Sequence, residues 1–423
     1  MKYLKTILIF LTANILFAQQ SIDLETCYKL AKEKYPLKKQ SRLYQDINSR
    51  ELDNISAKYY PQINLVGQAS YQSDVTKIDM DIPIPNANVD FPEIDKDQYK
   101  IGISVEQIIW DGGILENSRD ITKKKYQTKI QNVEVELYSL RNRVNLLFFG
   151  ILKLQENIKI LDISLETMNK KLEQVQTGIE HGMVLQSNAD IIAAEIMKIE
   201  QKLSELKKQK EAAKQSLSTL IEKDLKETKL KIPETEFHIV RDKRRPEYEL
   251  FRISKEQMNE LSDLALAEYL PKFYAFGQAM YGKPGLNMFD PDFQTFYIVG
   301  LKATWNFWDW DVSSRKEEIA QIQKEIINTS EQTFEKNLNI GADAILKEIE
   351  KIEELMAKDE KIIELREKIV QTASSQLDNG VITSTEYITE MNALTQAKIS
   401  FQLHKIELKQ AQTEYLTHMG IDH

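Results

Sequence analysis

Residues 57–71 return 210 positions later as residues 267–281, with seven of the fifteen positions identical. The matching pairs are Ala57/Ala267, Tyr59/Tyr269, Pro61/Pro271, Gly67/Gly277, Gln68/Gln278, Ala69/Ala279 and Tyr71/Tyr281. A second set of matches lies at an offset of 198, pairing Tyr99 with Tyr297, Gly102 with Gly300, Trp110-Asp111 with Trp308-Asp309, and Gly182 with Gly380. The offsets differ by 12, so the first half carries 12 extra residues between its proline and its Trp-Asp. They fall in the stretch 73–98, which holds Pro83, Pro85 and Pro92. The chain is therefore a tandem duplication in which one loop has grown, and each half must repeat the fold of the other.

Each half reads helix, strand, loop, strand, long helix, turn, long helix. In the strands, Ile63, Leu65, Gly67, Ala69 and Tyr71 take one face against Asn64, Gln68 and Ser70. Ile101, Ile103 and Val105 oppose Lys100, Ser104 and Glu106. The second half repeats this with Phe273, Ala275, Ala279 and Tyr281, then Val299, Leu301, Ala303 and Trp305 against Lys302, Thr304 and Asn306. Alternation alone suits a half-buried soluble sheet and a membrane barrel equally. The rings tip it towards the barrel: Trp110, Trp305, Trp308 and Trp310 lie in or at the ends of strands, and Tyr59, Tyr60, Tyr71, Tyr99, Tyr269 and Tyr281 sit at the other strand boundaries. Aromatic girdles at both ends of alternating strands are what a membrane barrel needs at its two interfaces. On this reading Trp110, Trp305, Trp308, Trp310, Tyr59 and Tyr269 are girdle residues, and Lys100, Glu106, Lys302 and Thr304 face the lumen.

The helical pattern is stricter. Ile130, Val133, Leu137, Leu140, Val144, Leu147, Ile151, Leu154, Ile158, Leu161, Leu165, Met168, Leu172 and Val175 recur at alternating steps of three and four, a heptad seam. Ile192, Ile196, Ile199, Leu203, Leu206 and Leu217 supply its return partner. Asp111 and Gly182 are 71 positions apart, as are Asp309 and Gly380, which corresponds to about 100 Å of helix. An ordinary globular domain has no use for such rods.

Composition narrows the class. Lys2 and Lys5 followed by the apolar stretch Ile7–Phe17 and Ala18 read as a secretory signal, too short to span a bilayer. Its removal takes the formal net charge from −9 to −11, which argues against a nucleic-acid partner. Cys27 is the only cysteine, so no disulfide framework exists, and it reads as a buried helix residue. The five histidines show no metal-ligand spacing, and neither a phosphate loop nor a nucleophile motif is present, so neither cofactor nor catalysis is expected. Asp74, Asp79, Asp81, Asp90, Asp95 and Asp97 make the long loop acidic, as a solvated loop.

Four strands cannot close a barrel, and open edges in lipid leave unsatisfied backbone groups at several kcal/mol each. Strands that enter a membrane must therefore be shared among several chains. The spacing does not count them.

Ile22-Asp-Leu-Glu-Thr-Cys-Tyr-Lys-Leu-Ala31 with Tyr35-Pro36, the strand starts Tyr60-Pro61 and Leu270-Pro271, and the junctions Trp110-Asp111-Gly112-Gly113 and Phe307-Trp308-Asp309 together resemble the TolC-like outer membrane efflux proteins, over essentially the whole mature chain. The resemblance implies a mainly α fold with a small β part. Long antiparallel coiled-coil helices would form an α-barrel, and four membrane strands per chain would complete a trimeric twelve-stranded barrel. It implies an outer-membrane location with a long periplasmic extension. The partners it implies are two further copies of the chain, a periplasmic adaptor, an inner-membrane pump and outer membrane lipid, in an efflux or type I secretion system. The expected organisation is a signal peptide at 1–18, a first repeat at 19–224, an equatorial linker at 225–246 and a second repeat at 247–423. The tip turns carry Gly182 and Met183, and Gly380 and Val381, as adaptor contacts; they lack the arginine often found before the family's glycine. Asp378 is the aperture candidate, since copies facing a lumen would form an acidic ring. The residues alone leave a second reading open, a secreted periplasmic coiled-coil scaffold or adhesin with a small soluble sheet.

Overall fold

The computed structural model describes residues 21–76, 95–234, 237–240, 242–287 and 290–421. The expected signal peptide and, in the acidic loop, Asp79, Asp81, Asp90, Pro83, Pro85 and Pro92 lie outside the described residues. In chain order the elements are β1 (Ser21–Ile22), α1 (Leu24–Lys34), α2 (Lys38–Ala57), β2 (Gln62–Tyr71), β3 (Asp97–Trp110), α3 (Ile114–Glu180) and α4 (Gln186–Ile221). Then follow β4 (Lys229–Leu230), α5 (Pro246–Glu268), β5 (Lys272–Lys283), β6 (Gln294–Thr304), α6 (Val312–Asp378) and α7 (Ser384–Met419). The lengths repeat: α3 and α6 have 67 residues each, α4 and α7 have 36 each.

Contacts divide the chain into two compact units, each drawing on both halves of the sequence. One comprises residues through 39, 133–246 and from 333 onward; the other comprises 40–132 and 247–332.

The first unit is built on the heptad seam. Val133, Leu137, Leu140, Val144, Ile151, Ile158, Met168 and Val175 are buried, and Leu147, Leu154, Leu161, Leu165 and Leu172 pack against the same clusters. Ile192, Ile196, Ile199, Leu203 and Leu206 on α4 close that core with Leu377, Tyr387, Ile388 and Met391 of the second hairpin. Each fully buried aliphatic chain contributes roughly 1.5–3 kcal/mol, so this seam, more than helix propensity, holds the rods together. Asp23 starts α1 by accepting from the Thr26 backbone N–H at 2.8 Å, and Cys27 is fully buried with Val144, Phe148, Leu217 and Ile221. A short parallel pairing sets Ile22 against Leu230.

The second unit holds an antiparallel sheet in the order β2-β3-β5-β6. Its two hairpins share one register. Ile63 lies opposite Val105, and their duplicates Phe273 and Ala303 also lie opposite each other. The helical part is tied by polar links: Tyr126 donates to Glu51 at 2.6 Å, Lys124 pairs with Glu256 at 2.8 Å, and Lys255 with Glu331 at 2.8 Å.

Candidate functional site

The pleat sorts the sheet's residues into two faces. One face carries the rows Leu65–Ile103–Ala279–Tyr297 and Ile63–Val105–Gly277–Val299, continued by Ile101 opposite Tyr281 and Ala275 opposite Leu301. It is apolar and open: Leu65 is 77%, Tyr297 74% and Leu301 78% exposed. A contiguous apolar surface of this kind requires an apolar cover. The opposite face carries Gln68–Lys100–Gly282–Gln294, Asn64–Ser104–Gln278–Ile298 and Gln62–Glu106–Phe276–Gly300, then Tyr274 opposite Lys302 and Lys272 opposite Thr304. Lys100, Glu106, Lys302 and Thr304 thus share the polar face. Lys302 lies over its cross-strand neighbour, with Nζ 5.6 Å from the Tyr274 ring centre.

The aromatic residues form two groups at opposite ends of the strands. Tyr59 and Tyr269 precede β2 and β5, Trp110 ends β3, and Trp305, Trp308 and Trp310 follow β6, so all six expected girdle residues are at the end where the strands meet the helices. Tyr59, Tyr60 and Tyr269, expected at the boundaries away from the tryptophans, share their end instead, because in an antiparallel hairpin the start of one strand lies beside the end of its partner. There the Trp305 indole donates to the Tyr269 carbonyl at 3.0 Å and the Tyr269 hydroxyl to the Phe307 carbonyl at 2.9 Å. Trp308 and Trp310 meet edge to face with centres 5.7 Å apart. Tyr71, Tyr99 and Tyr281 mark the loop end, where Phe293 stacks on Tyr281 at 5.4 Å. Trp305 and Asn306, which alternation includes in the last strand, lie beyond it, because β6 stops at Thr304 where its partner β5 begins at Lys272.

At each strand-to-helix junction an aspartate organises the turn. Asp111 accepts from the N–H groups of Gly113 at 2.9 Å and Leu115 at 2.8 Å. Asp309 accepts from the Ser313 N–H at 2.9 Å and hydroxyl at 2.7 Å. The two residues after each aspartate have left-handed backbone: Gly112 and Gly113 at φ 77° and 90°, Trp310 and Asp311 both at 58°.

The reversals between long helices are also duplicates. Gly182 (φ 73°) and Gly380 (φ 68°) supply the left-handed residue. Met183 N–H bonds Gly178 O at 2.9 Å and Gly182 N–H bonds Ile179 O at 2.9 Å; Val381 to Gln376 and Gly380 to Leu377 repeat both at 2.8 and 3.0 Å. This is the Schellman arrangement, which explains the glycines by backbone alone. It leaves the side chains that follow in the open, with Met183 73% and Val381 69% exposed.

Asp378 is engaged. Its Oδ1 lies 2.7 Å from Lys171 Nζ, which also donates to Ser374 Oγ at 2.8 Å and stands 5.2 Å from the Tyr387 ring centre. The lysine side chain is 3% exposed and the aspartate 50%. Burial, and then the Asp378 charge, push the Tyr387 hydroxyl above its ordinary pKa. Sequence reading missed Lys171, although it lies three residues after Met168 and one before Leu172, at the edge of the seam.

Against known proteins, the sequence of residues 28–222 matches the outer membrane efflux protein family. No curated protein matches the chain in sequence. Among solved structures, CusC is similar with a TM-score of 0.70 at 12% identity, covering 98% of this chain and 96% of its own. The Campylobacter jejuni CmeC outer membrane channel gives 0.65 at 15%, with 94% and 85% covered. The open state of the Neisseria gonorrhoeae MtrE outer membrane channel gives 0.64 at 13%, with 94% and 89% covered. At such identities the likeness is one of fold, and it extends the TolC-like architecture over both halves of the chain. The matched family model is described as that of outer membrane efflux proteins, and CmeC as an outer membrane channel.

Proposed function

We propose that three copies of this TolC-like chain close one twelve-stranded barrel and one helical tunnel, forming a passive conduit for export across the outer membrane. The observation that carries this is the open-edged four-stranded sheet with one face apolar and exposed. Ten residues of β2 extend about 34 Å, and at barrel tilt they rise about 25 Å, the height of an outer-membrane apolar band. Two aromatic belts at the strand ends fit the two interfaces. Lys100, Glu106, Lys302 and Thr304 then line a wet lumen, with the 67-residue helices carrying the path away from the membrane. The exposed Met183 and Val381 at the tip turns suit docking by a periplasmic adaptor, itself tied to an inner-membrane pump that supplies the energy. The chain's own part is conduction, with no chemistry.

Membrane fractionation tests this reading. The protein is expected in the outer-membrane fraction, resistant to salt and carbonate washing, released by detergent and heat-modifiable on gels. A protein recovered wholly in the periplasmic fraction without detergent overturns it.

A further inference from the structure

The duplication that relates the two halves also specifies how one copy meets the next. The sheet leaves β2 and β6 as edges, while the pairing of β3 with β5 joins the two halves within the chain. By the offset of 198, β6 is the duplicate of β3; by the offset of 210, β2 is the duplicate of β5. Both hairpins keep the same register under these offsets, so the relation holds in the backbone as well as in the letters.

We propose that β6 of one copy pairs antiparallel with β2 of the next in the register already present between β3 and β5. Resting on the shared-barrel reading above, this names its seam residue by residue. Ile101 opposite Tyr281 becomes Val299 opposite Tyr71 of the next copy. Ile103 opposite Ala279 becomes Leu301 opposite Ala69, and Ser104 opposite Gln278 becomes Lys302 opposite Gln68.

Two details of the single chain agree. β3 runs on from Gln107 to Trp110 beyond the last β2 pair, held there by β5 alone. Its duplicate residues 305–308 are not strand, and their counterpart partner is β2 of another copy. The Gln107 side chain donates to the Tyr59 carbonyl, just as Trp305 donates to Tyr269. The end of the long strand is therefore already oriented in both halves, and only in the second half does it lack a ladder. The next copy extends β6 through Trp308.

The junction that follows belongs to the same seam. A Cβ on Gly112 would fall 2.8 Å from Leu270 Cβ and 3.0 Å from the Ala267 carbonyl, so the first junction packs closely on the end of α5. The duplicate contact sets Trp310, 75% exposed in one chain, against Ala57 and Tyr60 of the next copy; Tyr60 is 69% exposed. An indole in the left-handed position where the first half has glycine needs room that the first junction does not leave, so here the next copy stands back, and Trp310, already edge to face with Trp308, reaches across to it.

Cysteine cross-linking in native outer membranes tests the register, in a Cys27→Ala background. Directly opposed residues have Cβ atoms about 4.5–5.5 Å apart and diagonal ones about 7–8 Å, beyond disulfide reach. Neighbouring opposed pairs alternate between the two ladder geometries, so one pair is taken from each face. The double variants Leu301→Cys/Ala69→Cys and Lys302→Cys/Gln68→Cys are expected to give covalent dimers and a closed covalent trimer on oxidation. Controls shifted by two, Leu301→Cys/Gly67→Cys and Lys302→Cys/Val66→Cys, are expected to stay single chains. Cross-linking of the shifted pairs in preference, or of none, in protein whose detergent-extracted native mass is trimeric overturns this register and leaves the shared barrel standing. A monomeric native mass overturns both.

Discussion

Lys171 and Asp378 offer an asymmetric perturbation. The lysine is 3% exposed and carries its charge among Asp378 Oδ1, Ser374 Oγ and the Tyr387 ring, whereas half of the aspartate side chain is in water. Asp378→Ala strands the buried ammonium with neutral partners. Losing one side of a buried pair costs about 3–5 kcal/mol; because Asp378 is half exposed and screened, about 1.5–3 kcal/mol is the better expectation. Lys171→Met places an apolar chain of similar length in the same slot and leaves the exposed carboxylate to water, so its effect is about 0–1 kcal/mol. The two residues of one ion pair should thus differ by about 2 kcal/mol. The difference is read locally by hydrogen exchange across residues 165–180 and 370–391, since opening of one helical segment need not follow global unfolding. Asp378→Ala should speed exchange there by about 30-fold, with Lys171→Met close to the parent. Equal effects, or a larger one from Lys171→Met, would refute the view that the stranded buried charge dominates.

Three further outcomes follow from the same structure. Leu301→Lys on the exposed apolar face should lose outer-membrane assembly, a midplane lysine costing roughly 2–4 kcal/mol, while Lys302→Gln on the opposite face should assemble normally; the detergent-extracted oligomer on unheated gels reads both. The Cys27 thiol, pushed up to about 12 by burial and then by Asp23, should resist maleimide at pH 8 in the folded protein and react on unfolding, as mass spectrometry would record. The Glu386 carboxyl, held below its ordinary pKa by the Thr383 backbone and hydroxyl groups that start α7, stabilises that helix end above the unfolded value near 4.5 and loses the effect as pH falls through the lower folded value. Exchange at residues 384–390 in Glu386→Gln should therefore exceed that of the parent at pH 7 and converge with it once the pH falls below the lowered folded value; a constant gap would contradict the sign.

Legibility followed the range of each interaction. The seam from Val133 to Val175 could be read because heptad spacing and burial are the same constraint on a rod, and every one of those positions turned inward or packed on the core. The tip glycines were legible for a similar reason, since only the backbone of a reversal between two long helices demands positive φ. Alternation put Lys100, Glu106, Lys302 and Thr304 on one face, but the order of strands, and hence the rows they form, depends on pairings between distant residues. The end of β6 was overrun because alternation continues through Trp305 while the ladder within the chain does not. Lys171 escaped notice for the opposite reason: in sequence it is one lysine among many on solvated helix faces, and only the approach of Ser374, Asp378 and Tyr387, some two hundred residues away, sets it apart.

The native mass of the protein after detergent extraction from outer membranes tests the central claim most directly. The shared barrel predicts a mass about three times that of one processed chain, retained until heat or strong detergent separates the copies. A single-chain mass under the same mild extraction, or a soluble monomer that never needed detergent, would contradict it and leave the exposed apolar face of the sheet unexplained.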